Sequence, residues 1–130
     1  MPDPITRDAV LLLTLNVAEV RGDDLTAELE RAFAAEVDRA EATKVVVDMK
    51  AVTYITSTGV RTLLSLYHTV KNLGGRVVLC GLGDMVSEVL TLMRFIDRSE
   101  LRPAPFEVQP DVPSAVTALL TRPAPGAEKR

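Results

Sequence analysis

The chain has 130 residues, of which 47% are hydrophobic and 25% charged, and its formal net charge is −3. This length suits a single domain with short tails and enough apolar content for a core. The mild negative charge and the 4% aromatic content exclude the clustered basic face and stacking platforms of a nucleic-acid binder, and the single cysteine excludes an internal disulfide and a multi-cysteine metal site.

The opening Met1-Pro2-Asp3-Pro4 lacks the charged-then-apolar pattern of a secretory signal. No apolar stretch approaches the length of a membrane span, so the chain is predicted to be soluble and cytoplasmic. Val10 to Val17 is a short apolar run that reads as a buried strand. After Arg21-Gly22, either Asp23 or Asp24 is predicted to cap a helix, with Leu25, Leu29, Phe33 and Val37 at helical spacing. Lys44 to Met49 is β-branched and reads as a second strand. Ala51 to Ile55 leads into a turn. From Gly59, the positions Val60, Leu63, Leu64, Tyr67 and Val70 mark a helix with one apolar face, closed by Gly74-Gly75. Arg76 to Cys80 is a third strand, with Cys80 read as a buried, reduced thiol. Gly81-Leu82-Gly83 is a loop before a helix with Asp84 as its cap and Val86, Val89, Leu90 and Met93 facing inward. Pro105 to Val108 reads as an edge strand, because proline is confined to edges. Asp111 to Leu120 reads as a last helix, and residues 122–130 as a disordered tail. Alternating strands and helices predict an α/β domain with a mostly parallel core, its helices stacked on one face of the sheet.

Thr56-Ser57-Thr58-Gly59 places three hydroxyls at a strand-to-helix junction. The plain reading is a helix cap, with Gly59 permitting a tight turn. The functional reading is a phosphorylation switch. A phosphate on Ser57 would meet the free N–H groups and positive dipole end of the helix, and would add about −1.5 to −2 charges to a small patch. Gly81-Leu82-Gly83-Asp84-Met85-Val86 has the context of a dinucleotide loop, but Val86 stands in place of the third glycine and Asp84 would repel a pyrophosphate. It reads as a loop and cap, and no cofactor is expected. His68 has no sequence neighbour that would make it a base or ligand, and Asp48, at a strand end, reads as bonding local backbone. An enzyme would need Asp48, His68 and Ser57 to line one deep pocket.

The blocks Val45-Val46-Val47-Asp48, Val52-Thr53-Tyr54-Ile55, Ser57-Thr58-Gly59-Val60, Leu63-Leu64, Gly74-Gly75-Arg76-Val77-Val78-Leu79, and the apolar helix from Val86 to Met93 before Ile96 together resemble a STAS domain of the anti-sigma factor antagonist type. The resemblance spans residues 44–97 densely. It implies a STAS-like single domain over residues 1–121, with a small mixed sheet of four to five strands and helices on one face. It implies a non-enzymatic regulator of transcription that binds an anti-sigma factor, a serine kinase of the ATP-binding switch type, and is reset by a phosphatase. The phosphoacceptor falls on Ser57, with Thr58 and Thr56 as alternates. The implied partner surface comprises Thr56, Ser57, Thr58, Gly59, Arg61, Glu19 and Asp23.

The sequence departs from the family pattern at three places. Thr56 stands where the family has an acidic residue. Asn16-Val17-Ala18-Glu19 and Arg21-Gly22-Asp23-Asp24 stand near its Gly-Glu-x-Asp segment. The front hairpin is short, with only Ile5-Thr6 before the Asp8-Ala9 turn. The alternative reading keeps the fold and makes the chain a non-phosphorylated structural subunit of a signalling assembly or lipid-transport complex. An exposed edge strand is consistent with a monomer or weak dimer.

Overall fold

The structure, a computed structural model, describes residues 10–41, 43–93 and 106–121. The expected front hairpin, Ile96, Pro105 and the tail 122–130 lie outside these residues. The elements in chain order are β1 (Val10–Thr14), β2 (Glu19–Val20), α1 (Asp23–Ala40), β3 (Lys44–Asp48), β4 (Tyr54–Ile55), α2 (Ser57–Asn72), β5 (Arg76–Cys80), α3 (Asp84–Leu92), β6 (Glu107–Gln109) and α4 (Val112–Thr121). β1, β3, β5 and β6 form one sheet in the order β1-β3-β5-β6, and β2 pairs with β4 in a separate two-stranded sheet.

The expected α/β architecture is present, with two differences in detail. Every described strand pair is parallel, so the described sheet is not mixed. The helices also cover both faces. Leu11, Leu13, Val45, Val47, Val77 and Leu79 point into a core shared with Phe33 and Val37 of α1, Val60, Leu63, Leu66 and Val70 of α2, and Val86 and Leu90 of α3. Their strand neighbours Val10, Val46, Val78 and Cys80 point the other way and pack on Ala115 and Leu119 of α4. Successive strand residues face opposite sides, so an unbroken run such as Val45-Val46-Val47 is buried only when both faces are covered. Each of these three valines is fully buried, a gain of about 1.5–3 kcal/mol per side chain.

The helix ends follow local chemistry. Gly22 and Gly83 occupy the N-cap positions of α1 and α3, and neither cap has a side-chain hydrogen bond. This corrects the expectation that Asp23, Asp24 or Asp84 would cap. These aspartates lie within the first helical turn, where a carboxylate acts through its charge on the helix dipole. Asp111 does cap α4: its Oδ1 accepts from Ser114 N at 2.9 Å, and that bond holds its carboxyl below its ordinary pKa. At the end of α2, Gly74 has φ of +78, and the N–H groups of Gly74 and Gly75 donate to Lys71 and Val70 carbonyls, as a glycine helix stop requires. β6 is the edge strand the sequence indicates. It is fastened to β5 by a bidentate pair in which Arg76 Nε and Nη2 donate to Glu107 at 2.8 and 2.6 Å.

Candidate functional site at the start of helix α2

Thr56 has extended backbone, and its Oγ1 accepts from Gly59 N at 3.1 Å. It is therefore the N-cap of α2, and Ser57, Thr58 and Gly59 are the first three helical residues. The cap uses the Thr56 hydroxyl and leaves the next one free. Ser57 is exposed, Thr58 is half-buried, and among the described residues nothing bonds the Ser57 hydroxyl.

Gly59 is buried within the helix, not in a turn. A Cβ there would lie 2.2 Å from the Val20 carbonyl oxygen, so the absence of a side chain is what lets α2 rest on β2. The tight-turn role expected for this glycine is replaced by close approach.

β2 and β4 hold the junction in place. Val20 and Ile55 are register partners, as are Glu19 and Tyr54. Both Val20 and Ile55 are buried. The Val20 carbonyl accepts from Thr56 N, and the Ala18 carbonyl accepts from the N–H groups of Thr53 and Tyr54 and from Thr53 Oγ1. The loops before α1 and α2 are thus bonded to each other, and Thr62 Oγ1 donates to the Thr26 carbonyl across the two helices.

This arrangement brings Glu19 to the strand next to the one that leads into Thr56. Glu19 is exposed and pairs with Arg21 at 3.0 Å. Arg61 lies one turn beyond Ser57 and is exposed, so the two are neighbours on the helix surface. Asp23 is exposed at the head of α1 and belongs to none of the hydrogen bonds that fix the junction. Sequence reasoning did not single out the Ala18 and Val20 carbonyls or Tyr54, whose ring is exposed beside Glu19. Two-residue strands carry no periodicity to reveal them, though an aromatic residue just before a hydroxyl-rich junction was a usable signal.

The other candidates do not join this site. Asp48 Oδ1 accepts from Lys50 N at 3.0 Å, the local backbone role expected of it. His68 is exposed and makes an edge contact with Tyr67. It is eleven residues from Ser57, or about 16 Å along the helix. A cavity of about 220 Å³ opens on α3, lined by Asp84, Ser87, Glu88, Thr91 and Leu92, and it contains none of Asp48, His68 or Ser57. Among the described residues no three of His, Cys, Asp and Glu gather to hold a metal ion, and no helix is long and apolar enough to cross a membrane. Cys80 is fully buried. Desolvation, and then the carboxylates of Asp48 and Asp111, push its thiol up to about 11.

Comparison with known proteins adds the lineage. The family model of the STAS domain matches residues 20–113. BtrV of Bordetella bronchiseptica, a candidate anti-sigma factor antagonist, is 36% identical over 69 residues, covering 53% of this chain and 59% of that protein. The chain thus spans somewhat more than half the length of the curated relative it matches. Among solved structures, a candidate anti-sigma factor antagonist of Thermotoga maritima superimposes with a TM-score of 0.72 at 15% identity, covering 87% of this chain and 89% of that one. A sulfate transporter family protein of Wolinella succinogenes gives 0.65 at 17% identity, covering 86% and 85%. At these identities the two structures speak to the fold alone.

Proposed function

The chain belongs to the STAS family, and from that premise we propose that it is an anti-sigma factor antagonist working in the cytoplasm, without catalytic activity of its own, and switched by phosphorylation of Ser57. Its partner on this reading is an anti-sigma factor of the ATP-binding serine kinase type, and a phosphatase resets it. The observation that carries the reading is the division of labour at the head of α2. Thr56 caps the helix, so Ser57 is left exposed and unbonded among the described residues at the positive end of a helix dipole. A phosphate there would be stabilised by the helix and would present about two negative charges to any partner that docks on the neutral hydroxyl. Glu19, Thr58, Arg61 and, further out on α1, Asp23 would frame that contact.

The test uses Ser57→Ala and Ser57→Asp as baits in the native host, with phosphosite mapping by mass spectrometry of the wild-type chain. The expected result is phosphate on Ser57, a kinase-like partner held by Ser57→Ala, and the same partner lost by Ser57→Asp. Equal recovery by both baits would overturn the switch.

A second reading makes the chain a non-phosphorylated subunit of a larger assembly. It is favoured by the completeness of the α2 cap without any modification, and the fold shared with a sulfate transporter family protein supports it. Persistent absence of phosphate from Thr56, Ser57 and Thr58 after incubation with candidate kinases and ATP would select it.

A further inference from the structure

The outward side of α2 carries a pattern that begins at Ser57 and runs beyond the switch. Ser57, Arg61, Leu64, His68 and Lys71 are spaced four, three, four and three residues apart. At about 100° per residue they fall within an arc of roughly 80°. Of the buried residues, Leu63, Leu66 and Val70 lie on the opposite side, and Val60 borders the stripe. Ser57, Arg61, His68 and Lys71 are exposed, and Leu64 is half-buried between them.

The charge of this stripe differs from that of α1 and α3. α2 has no acidic residue, whereas α1 has Asp23, Asp24, Glu28, Glu30, Glu36 and Asp38 against Arg31 and Arg39, and α3 has Asp84 and Glu88 with no basic residue. Among the described residues no ion pair involves Arg61 or Lys71.

We propose that the Ser57-Arg61-Leu64-His68-Lys71 stripe is a docking seam for an acidic α-helix of a protein partner. The alternating four-three spacing keeps the five positions in line along one side of the helix, Leu64 gives the seam an apolar centre, and the cations select carboxylates. A nucleic acid or an anionic membrane fits less well. Both are broad polyanions, and the stripe is one side chain wide. Because the seam begins at Ser57, a phosphate there would place its charge one turn from Arg61, a cation that holds the partner. That coupling rests on the reading of Ser57 above, and the seam itself does not.

The probe is a three-heptad synthetic helix with Glu flanking a Leu centre on its seam, compared with a twin in which every Glu is Gln. Backbone amide NMR of the full chain reads the binding. The Glu helix is expected to shift amides of α2, and the Gln twin to bind roughly twofold to thirtyfold more weakly, as two surface ion pairs allow. Arg61→Glu/Lys71→Glu is expected to abolish the shifts, with Arg61→Gln/Lys71→Gln intermediate. Absence of α2 shifts, equal affinity for the two helices, or undiminished binding by the double Glu variant would overturn the seam. Stronger α2 shifts with phosphatidylserine–phosphatidylcholine vesicles or duplex DNA would overturn its assignment to a protein helix. If Ser57→Asp binds the Glu helix as tightly as wild type, the coupling to the switch fails; if the seam fails, the bait experiment on Ser57 stands on its own.

Discussion

Thr56 does two things that a substitution can separate. Its hydroxyl accepts from the buried Gly59 amide at 3.1 Å, and its neutrality leaves α2 without negative charge at its head. Thr56→Ala removes the acceptor at a cost of about 0.5–2 kcal/mol. The upper half of that range is expected, because an unpaired buried N–H itself costs about 1–3 kcal/mol. For a chain of 130 residues, 1 kcal/mol corresponds to roughly 4 °C in Tm, so Thr56→Ala should melt about 5–8 °C lower. Thr56→Asp keeps an acceptor and adds a charge. α2 has no acidic residue in its first turn, whereas α1 and α3 do, so the added carboxylate should contribute about 0.3–1 kcal/mol, or roughly 1–4 °C at low salt. The assay is thermal melting by circular dichroism at low and at high salt. The Asp gain should vanish near 1 M salt, where screening shortens to about 3 Å, while the Ala loss should persist. A Thr56→Ala protein that melts with wild type, or a Thr56→Asp protein that melts below it, would refute the capping argument.

Gly59→Ala should destabilise by about 1–3 kcal/mol net despite the better helix propensity of alanine, because the obstacle is the Val20 carbonyl at 2.2 Å. Val20→Ala should fail to rescue the melting temperature, and a rescue would show that the contact is a side-chain one. Cys80 should resist alkylation in the native state at pH 8–9, with its thiol held up at about 11 against an ordinary 9.0. The unfolded thiol ionises first, so this contribution to stability is whole below pH 9 and is lost as pH rises towards 11; rapid native-state alkylation at pH 8 would contradict the burial. Glu107→Gln leaves Arg76 with half of its bidentate pair and should cost about 1–3 kcal/mol, read as faster amide exchange across β6. Unchanged protection there would mean that backbone pairing alone holds the edge.

The sequence and the structure agree where one local signal determines the element. Lys44 to Asp48 and Arg76 to Cys80 are strands because β-branched and apolar residues run unbroken, and Gly74-Gly75 stops α2 because only glycine takes the left-handed position easily. The same unbroken runs also contained the two-sided burial that the one-face expectation missed, since a strand covered on one side alternates with polar residues. The capping expectations failed for a positional reason. An aspartate caps when it stands just before the helix, as Asp111 does, but Gly22 and Gly83 hold that place in α1 and α3 and move the acids into the first turn.

The candidate site was legible only as a string of residues, because its geometry comes from outside the string. Gly59 looked like a turn glycine, yet its reason is the Val20 carbonyl, thirty-nine positions earlier, brought there by a strand of two residues. Thr56 is the more instructive case. Set against the family pattern, it is the loss of an acidic residue beside Ser57, the proposed phosphoacceptor. At the head of α2 it is the retention of a cap, because a hydroxyl and a carboxylate both accept from the third helical amide. The departure therefore removes charge and keeps geometry. A kinase that reads only the exposed Ser57 on a formed helix end would tolerate it, and one that reads the neighbouring carboxylate would not. Phosphorylation rates of wild type and Thr56→Asp by one kinase distinguish these cases: equal rates place recognition in the helix end, and a large increase for Thr56→Asp places it in the missing charge.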